Sequence, residues 1–389
     1  MEISRKKRSH VDYSHYRKSN FEVLRILSIY AIIIHHLIAH SGFTWSQFKV
    51  TPQKIWLMSI LPIGKVGVGT FILITGYFTF RHPPKVKTLL RIVTTTGFYS
   101  ILIYILANLT IPGTRVTPQT FFQSVFPIIS NLYWFATAYF FMYILMPYLN
   151  QLAKHMAVKQ YVILLAILIF VICGPAYLMY YGIPVYGYTD IAVMILLWFT
   201  GAFIRKFESF FQLKSWFLFL ILVLLICGNF LFHVWGFYIG VKHPKIYTYT
   251  LNIGMYNYSF FSYVLAVVVF LLFKNMKIRP NFFINFAASG VFAVYLIHDN
   301  PYVSNLIFRH FIHFTEVKDL GLMIQQTFTI PAVILIVCLL IEYSRLILFG
   351  QIQNLYIGLW AKILKWLDQL FVKLLAKMFH YNHHNFLKK

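Results

Sequence analysis

Five ionisable side chains stand in one apolar run of this chain, NFEVLRILSIYAIIIHHLIAH at residues 20–40: Glu22, Arg25, His35, His36 and His40. A charged group at the centre of a membrane-spanning helix costs roughly 2.5–3.5 kcal/mol on insertion scales, so the run demands a reason. Spacing supplies one. At about 100° per residue, Arg25 and His36 lie about 20° apart around the helix axis, and Glu22 and His40 lie about 60° from Arg25 on the same side. His35 points about 80° away from Arg25, which favours a structural role for it. An imidazole titrates near neutrality, so His36 can act as a general base on a hydroxyl. It can equally accept an acyl group and pass it on, or simply pack against a neighbouring helix. Arg25 can bind a phosphate or polarise a carbonyl. It can also pair with Glu22 three residues earlier, which would make the buried cation tolerable.

The element that must carry this stripe is a transmembrane helix. The chain of 389 residues is 59% hydrophobic and 11% charged, with a mean hydropathy of +0.69. Soluble domains carry about 25% charged residues, so an all-α polytopic membrane protein is expected. A net charge of +24 would point to nucleic acid in a soluble protein. In a membrane protein it follows from basic residues gathering in cytoplasmic loops, and no nucleic-acid partner is expected. Cys173, Cys227 and Cys338 all sit in apolar runs and read as small core residues, not as disulfide partners or metal ligands. No metal is expected. The basic start of the chain leads into the first span with no small-residue cleavage site, so no signal peptide is expected.

Apolar windows of about 20 residues predict ten spans, near 21–40, 57–79, 89–110, 126–149, 160–180, 190–204, 215–235, 256–273, 286–306 and 323–347. With the N-terminus inside, 25 of the 34 lysines and arginines fall on the cytoplasmic side and seven outside. That bias predicts both termini in the cytoplasm. Three parts follow: a basic tail at 1–20, a membrane domain at 21–347 and a cytoplasmic tail at 348–389. In the last, Trp360, Ile363, Leu364, Leu367, Leu370, Phe371, Leu374, Leu375 and Met378 keep helical spacing, with Lys362, Lys365, Lys373 and Lys377 among them. This is a basic amphipathic helix, expected to lie on anionic membrane lipids.

Four motifs stand in order along the chain. Arg25 is followed, after ten residues, by His36. A glycine-rich span, GKVGVGTFILITGYF at 64–78, ends in a basic turn holding Arg81, Lys85, Lys87 and Arg91. NLYWFATAYFFMYILMPYLN occupies 131–150. VYLIHDNP at 294–301 precedes LIEYSR at 340–345. Together they resemble the acyltransferase-3 family of membrane O-acyltransferases, over about residues 20–347. The family's second span usually reads Gly-Val-Asp-Leu-Phe-Phe. Here those positions hold Gly67, Val68, Gly69, Thr70, Phe71 and Ile72, so the acid is missing, and the family's arginine pair is only approximated by Lys87 and Arg91.

The resemblance implies an enzyme of the bacterial plasma membrane. It implies acetyl-CoA as a cytoplasmic donor and a sugar hydroxyl of a lipid-linked or nascent surface polysaccharide as acceptor. His36, Arg25 and Glu22 would form the catalytic stripe, with Arg25 also meeting the donor. Arg81, Lys87 and Arg91 would receive the phosphates of coenzyme A; the bland alternative is positive-inside topology. Gly64, Gly67, Gly69 and Gly76 signal close helix packing, or room for a pantetheine arm. His298 and Asp299 would hold the acceptor, or simply cap a helix end before Pro301. Glu342 has Arg345 as its expected partner. Tyr181, Tyr186, Tyr188, Trp235, Tyr238, Tyr247 and Tyr249 read as an interfacial belt or a sugar-stacking surface. Two other classes fit the buried charges: a transporter or flippase of a lipid-linked glycan, and a membrane sensor without chemistry. Neither needs a coenzyme site, and a transporter would often carry an internal repeat, of which none is visible.

Overall fold

The computed structural model describes residues 18–43, 50–82, 84–174, 190–247, 250 and 259–378, and every regular element among them is helical. The main α-helices in chain order are α1 Ser19–His40, α2 Pro52–Ile60, α3 Ile63–Thr79, α4 Val86–Thr110, α5 Pro118–Val125, α6 Trp134–His155, α7 Val158–Cys173, α8 Asp190–Lys206, α9 Ser215–Gly240, α10 Phe260–Asn275, α11 Phe282–Ser289, α12 Val291–His298, α13 Pro301–Asn305 and α14 Leu320–Met378, with short 3-10 or π turns at Glu208–Phe211, Leu306–Phe311 and Phe314–Glu316. The basic tail at 1–17 and Tyr181, Tyr186, Tyr188 and Tyr249 lie outside the described residues.

Helix α1 is central. Phe21 and Leu24 at its start belong to one apolar core, and Ile29, Ile32, Ile33, Ile34, Leu37 and Ile38 belong to a second. Its first turn is tied down by polar bonds. Ser19 Oγ donates to Asn285 Oδ1 at 3.1 Å and accepts from the Asn281 amide at 2.9 Å, and Asn20 Nδ2 donates to the Phe273 carbonyl at 2.9 Å. The glycine-rich α3 runs antiparallel against it. A Cβ on Gly67 would overlap the Ser28 carbonyl, one on Gly76 the Trp198 carbonyl, and one on Gly201 of α8 the Leu73 carbonyl. The glycines therefore let α1, α3 and α8 touch backbone to backbone. Neighbouring helices fill the room beside Gly67, Gly69 and Gly76, whereas Gly64 lies on the wall of a cavity.

By length and apolarity, five candidate spans qualify among the described residues: α1, the run Pro52–Thr79, α4, α9 and Leu320–Leu374. Helices α7 and α10 are apolar but only 16 residues each, about 24 Å long against a hydrocarbon core of about 30 Å. Two expected spans differ in form. Span four does not start at 126: a turn with Asn131 at φ 56° precedes α6, which begins at Trp134. Span nine is not one rod. Phe282–His298 and Pro301–Glu316 meet at a bend of 74°, because Pro301 cannot continue a helix whose preceding turn it would clash with.

The expected boundary at 347 is absent as a structural break. Helix α14 runs for 59 residues, about 88 Å at 1.5 Å per residue. The span and most of the tail thus form one helix. Its upper part is clamped to α4, where Gln353 Nε2 donates to Thr94 and Thr95 hydroxyls at 2.9 Å each and Arg91 Nη2 donates to Asn354 Oδ1 at 3.1 Å. Only 11% of the hydropathic window of α9 is buried, so its apolar surface faces outward and needs lipid to cover it. Cys227 is exposed on that helix, while Cys173 and Cys338 are buried; the expectation of three core cysteines holds for the latter two alone.

Candidate active site

The bend in span nine brings polar groups to α1. His298 ends α12, Asp299 follows in the break, and Asn300 caps α13, accepting from the Tyr302 amide at 3.0 Å. Asn300 Nδ2 also donates to the Tyr133 hydroxyl at 2.7 Å, so the break is fastened on both sides. His36 Nδ1 then lies 3.0 Å from His298 Nε2 and 3.3 Å from Asp299 Oδ1. His40, one turn further along α1, has Nε2 3.7 Å from the same carboxylate oxygen.

These contacts fix the tautomers. His298 Nδ1 lies 2.6 Å from the Val294 carbonyl, which can only accept, so that nitrogen carries the proton and Nε2 holds a lone pair. With both rings neutral, the proton between the two imidazoles therefore sits on His36 Nδ1, and Asp299 Oδ1 lies 3.3 Å from the same nitrogen. Neutral His36 is left with its lone pair on Nε2. This is the arrangement of a general base whose imidazolium a carboxylate stabilises and orients.

His35 differs in its partner. Its Nδ1 donates to the Leu61 carbonyl at 2.8 Å. That carbonyl is available because the Lys65 amide turns to the Pro62 carbonyl at 3.0 Å, at the join between α2 and α3. A Cβ on Gly64 would overlap the His35 ring, so the glycine makes the seat for this histidine. Among the described residues no carboxylate pairs with the His35 ring, and in this it is unlike His36.

Beside the histidines is a small cavity of about 30 Å³, lined by His35, His36, Lys65, Phe71, Trp134 and Tyr295 among others. It joins a basic group, a cation and aromatic faces in an otherwise apolar wall. Lys65 Nζ lies 6.0 Å from the centre of the Trp134 ring.

A family model described as an acyltransferase domain matches residues 18–343. The chain belongs to the acyltransferase-3 family. No curated protein and no solved structure matches it.

In this acyltransferase-3 protein the missing acid of the second span has a physical reason. Gly69 packs on Ala266, whose Cβ a side chain there would meet at 2.8 Å. Thr70 instead joins α3 to α1 through a 2.6 Å hydrogen bond with Ser28. The other predicted residues fall in two places. Arg25 Nη1 donates to Glu22 Oε1 at 2.6 Å, and Arg25 lies eleven residues, about 16 Å, from His36 along α1. Arg81, Lys87 and Arg91 are exposed at that same end, where Phe21 of α1 meets Tyr77 of α3. Nearby, Glu208 accepts from Tyr77 at 2.7 Å and from Arg205 at 2.9 Å. Burial pushes the Glu208 carboxyl up, but the Tyr77 hydrogen bond and the charges of Arg205 and Lys274 outweigh it and hold its pKa below the ordinary value.

The structure therefore does not gather the predicted site into one cluster. His36, His298 and Asp299 meet; Arg25, Glu22 and the basic turn form a separate group. His298 is fully buried, with Nε2 3.0 Å from His36 Nδ1 and Nδ1 2.6 Å from the Val294 carbonyl. Glu342 pairs with Arg345 through two bonds of 2.7 Å, as a clamp inside α14. Of the aromatic belt, Trp235 and Tyr238 are exposed and Tyr247 is buried. Sequence reasoning missed Lys65, which it placed in or beside a span and gave no role. It also missed the link between His40 and Asp299, although the four-residue step from His36 to His40 was visible.

Proposed function

We propose that this protein transfers an acyl group, acetyl in the first instance, from acyl-CoA to a sugar hydroxyl of a lipid-linked or surface polysaccharide. The observation that carries the reading is His36 held by Asp299 at 3.3 Å on the wall of a cavity that also holds Lys65. His36 Nε2 takes the hydroxyl proton as the sugar oxygen attacks the thioester carbonyl. Lys65 faces the oxyanion that forms. The intermediate collapses by breaking the C–S bond, and the coenzyme thiolate takes its proton from the His36 imidazolium. Asp299 stabilises that imidazolium throughout.

The donor route supports the same reading. Phe135 on the cavity wall stacks on Tyr139 at 5.8 Å, and Tyr139 lies 6.1 Å from Tyr143. The Tyr143 hydroxyl accepts from the Lys85 amide at 2.9 Å. An aromatic row thus leads from the cavity to the basic turn of Arg81, Lys87 and Arg91, where coenzyme phosphates would rest. Both termini and that turn are cytoplasmic in this reading, with ten passes of the bacterial plasma membrane, and the lysine and arginine bias supports it. The transporter alternative has nothing further in its favour, since buried Glu22 and Glu342 are each paired with an arginine, at 2.6 and 2.7 Å. The test uses purified protein in liposomes with labelled acetyl-CoA, and NMR of surface polysaccharide from cells with and without it. His36→Ala should abolish label transfer and the O-acetyl signal. Wild-type transfer by that variant would sink the assignment.

A further inference from the structure

The groups around Asp299 also present metal-ligand atoms. His36 Nδ1 and His40 Nε2 lie 3.3 and 3.7 Å from Asp299 Oδ1, and one ligand atom from each of the three residues falls within 4.8 Å of the others. His298 Nε2 is 3.0 Å from His36 Nδ1. Four ligands in a tetrahedron around zinc, at about 2.0–2.2 Å, stand about 3.3–3.6 Å apart. Three contacts, at 3.0, 3.3 and 3.7 Å, bracket that separation; His36, His40 and Asp299 form the compact set, and His298, which reaches it through His36, needs the larger side-chain movement to complete a coordination shell. The other nitrogen of His298 donates to the Val294 carbonyl at 2.6 Å, the outer bond that a ligating histidine normally makes. His36 and His40 are held one turn apart on a helix anchored in both cores, with ring centres at 5.0 Å. The His40 side chain is 42% exposed, which offers an ion a way in.

We propose that His36, His40, His298 and Asp299 form a binding site for a divalent transition metal of the zinc class, and that its occupation halts acyl transfer. Coordination uses the lone pair of His36 Nδ1. The proton that nitrogen carried moves to Nε2, and the base then has no lone pair to offer a hydroxyl. No proton is lost and no redox change is involved. Metal and acceptor hydroxyl thus compete for the same imidazole from opposite nitrogens. Lys65 in the adjoining cavity opposes the added positive charge, which suits an ion that comes and goes. The inhibitory half of the proposal rests on the acyltransferase reading; the binding half does not.

The test titrates full-length protein in detergent with Co²⁺ as a visible probe, then displaces it with Zn²⁺. One equivalent giving tetrahedral d–d bands that zinc abolishes is expected. Losing an outer-shell partner costs about 10–100-fold in metal affinity, so His40→Ala and Asp299→Asn, which remove ligands, should cost at least that. His155→Ala, an exposed histidine on α6, should leave binding unchanged. Absence of the bands, or equal affinity in wild type, His40→Ala and Asp299→Asn, overturns the site. In the transfer assay, zinc should inhibit reversibly with a chelator. The zinc level for half-inhibition should rise at least tenfold in His40→Ala, measured against its own zinc-free rate; an unchanged level overturns the inhibitory role. Cobalt bands in a protein without transferase activity would leave the site standing and remove the acyltransferase reading.

Discussion

Asp299→Asn isolates the electrostatic part of the proposed chemistry. The substitution keeps the shape of the side chain and removes its charge. At 3.3 Å, a carboxylate and an imidazolium attract by about 5 kcal/mol at an effective dielectric of about 20. The amide dipole and local relaxation recover part of this, leaving about 3–4 kcal/mol, or about 10²–10³ in kcat. A larger loss, about 10⁴, is seen when a triad loses the group that sets its tautomer. That loss is not expected here, because His298 Nε2 still accepts from His36 Nδ1 at 3.0 Å and keeps the proton where it belongs. The assay is steady-state transfer of labelled acetyl in liposomes, with acceptor and donor varied separately. The expected result is a fall in kcat with both KM values within about twofold. A kcat within threefold of wild type would refute the imidazolium argument. A large rise in acceptor KM with kcat preserved would return Asp299 to the role of an acceptor ligand.

Other perturbations test the surrounding elements. Lys65→Met should lower kcat about 10²–10³, the usual cost of one oxyanion donor, measured in the same assay with protein shown to be monodisperse. Glu342→Gln leaves the buried Arg345 without its carboxylate and should cost about 3–5 kcal/mol, read as folded protein lost on heating; Glu342→Gln with Arg345→Met should recover most of it. Gly76→Val places atoms on the Trp198 carbonyl, and since backbone cannot yield, the cost should reach or exceed the about 1–3 kcal/mol of ordinary overpacking. Gly97→Ala, with nothing within 4 Å of the new Cβ, should express as wild type.

The polar stripe on α1 was legible because helical geometry alone sets it: Glu22, Arg25, His36 and His40 share a side whatever packs against them. The preference for His36 over His35 followed from the same arithmetic. What spacing along one helix could not show was the partner of each histidine. His36 meets His298 across 262 positions of sequence, and His35 meets a carbonyl that only the Pro62 join sets free. The separation of Arg25 from His36 was implicit in eleven residues of rise, yet facing the same way was easily taken for acting at the same place. Lys65 was hidden by its neighbours: a lysine in or beside an apolar span has no role to read until Trp134 and Phe71 close a cavity around it.

The break in span nine shows why a carboxylate is in the bundle at all. In an unbroken helix over 286–306, the Pro301 ring would clash with the carbonyl of Ile297 and leave a backbone bond unmade. Both ends of such a break must find partners inside the protein, since lipid supplies none. The chain meets that demand locally. The Asp299 amide still donates to the Tyr295 carbonyl at 3.1 Å, Asn300 caps the Tyr302 amide, and its Nδ2 reaches Tyr133. The Asp299 side chain reaches α1, with Oδ1 3.3 Å from His36 Nδ1. The dependence runs from Pro301 to the bend, from the bend to Asp299, and from Asp299 to the ring of His36 3.3 Å away. In the sequence, HDNP carried each of these letters; the bend that gives them their order needs the position of α1.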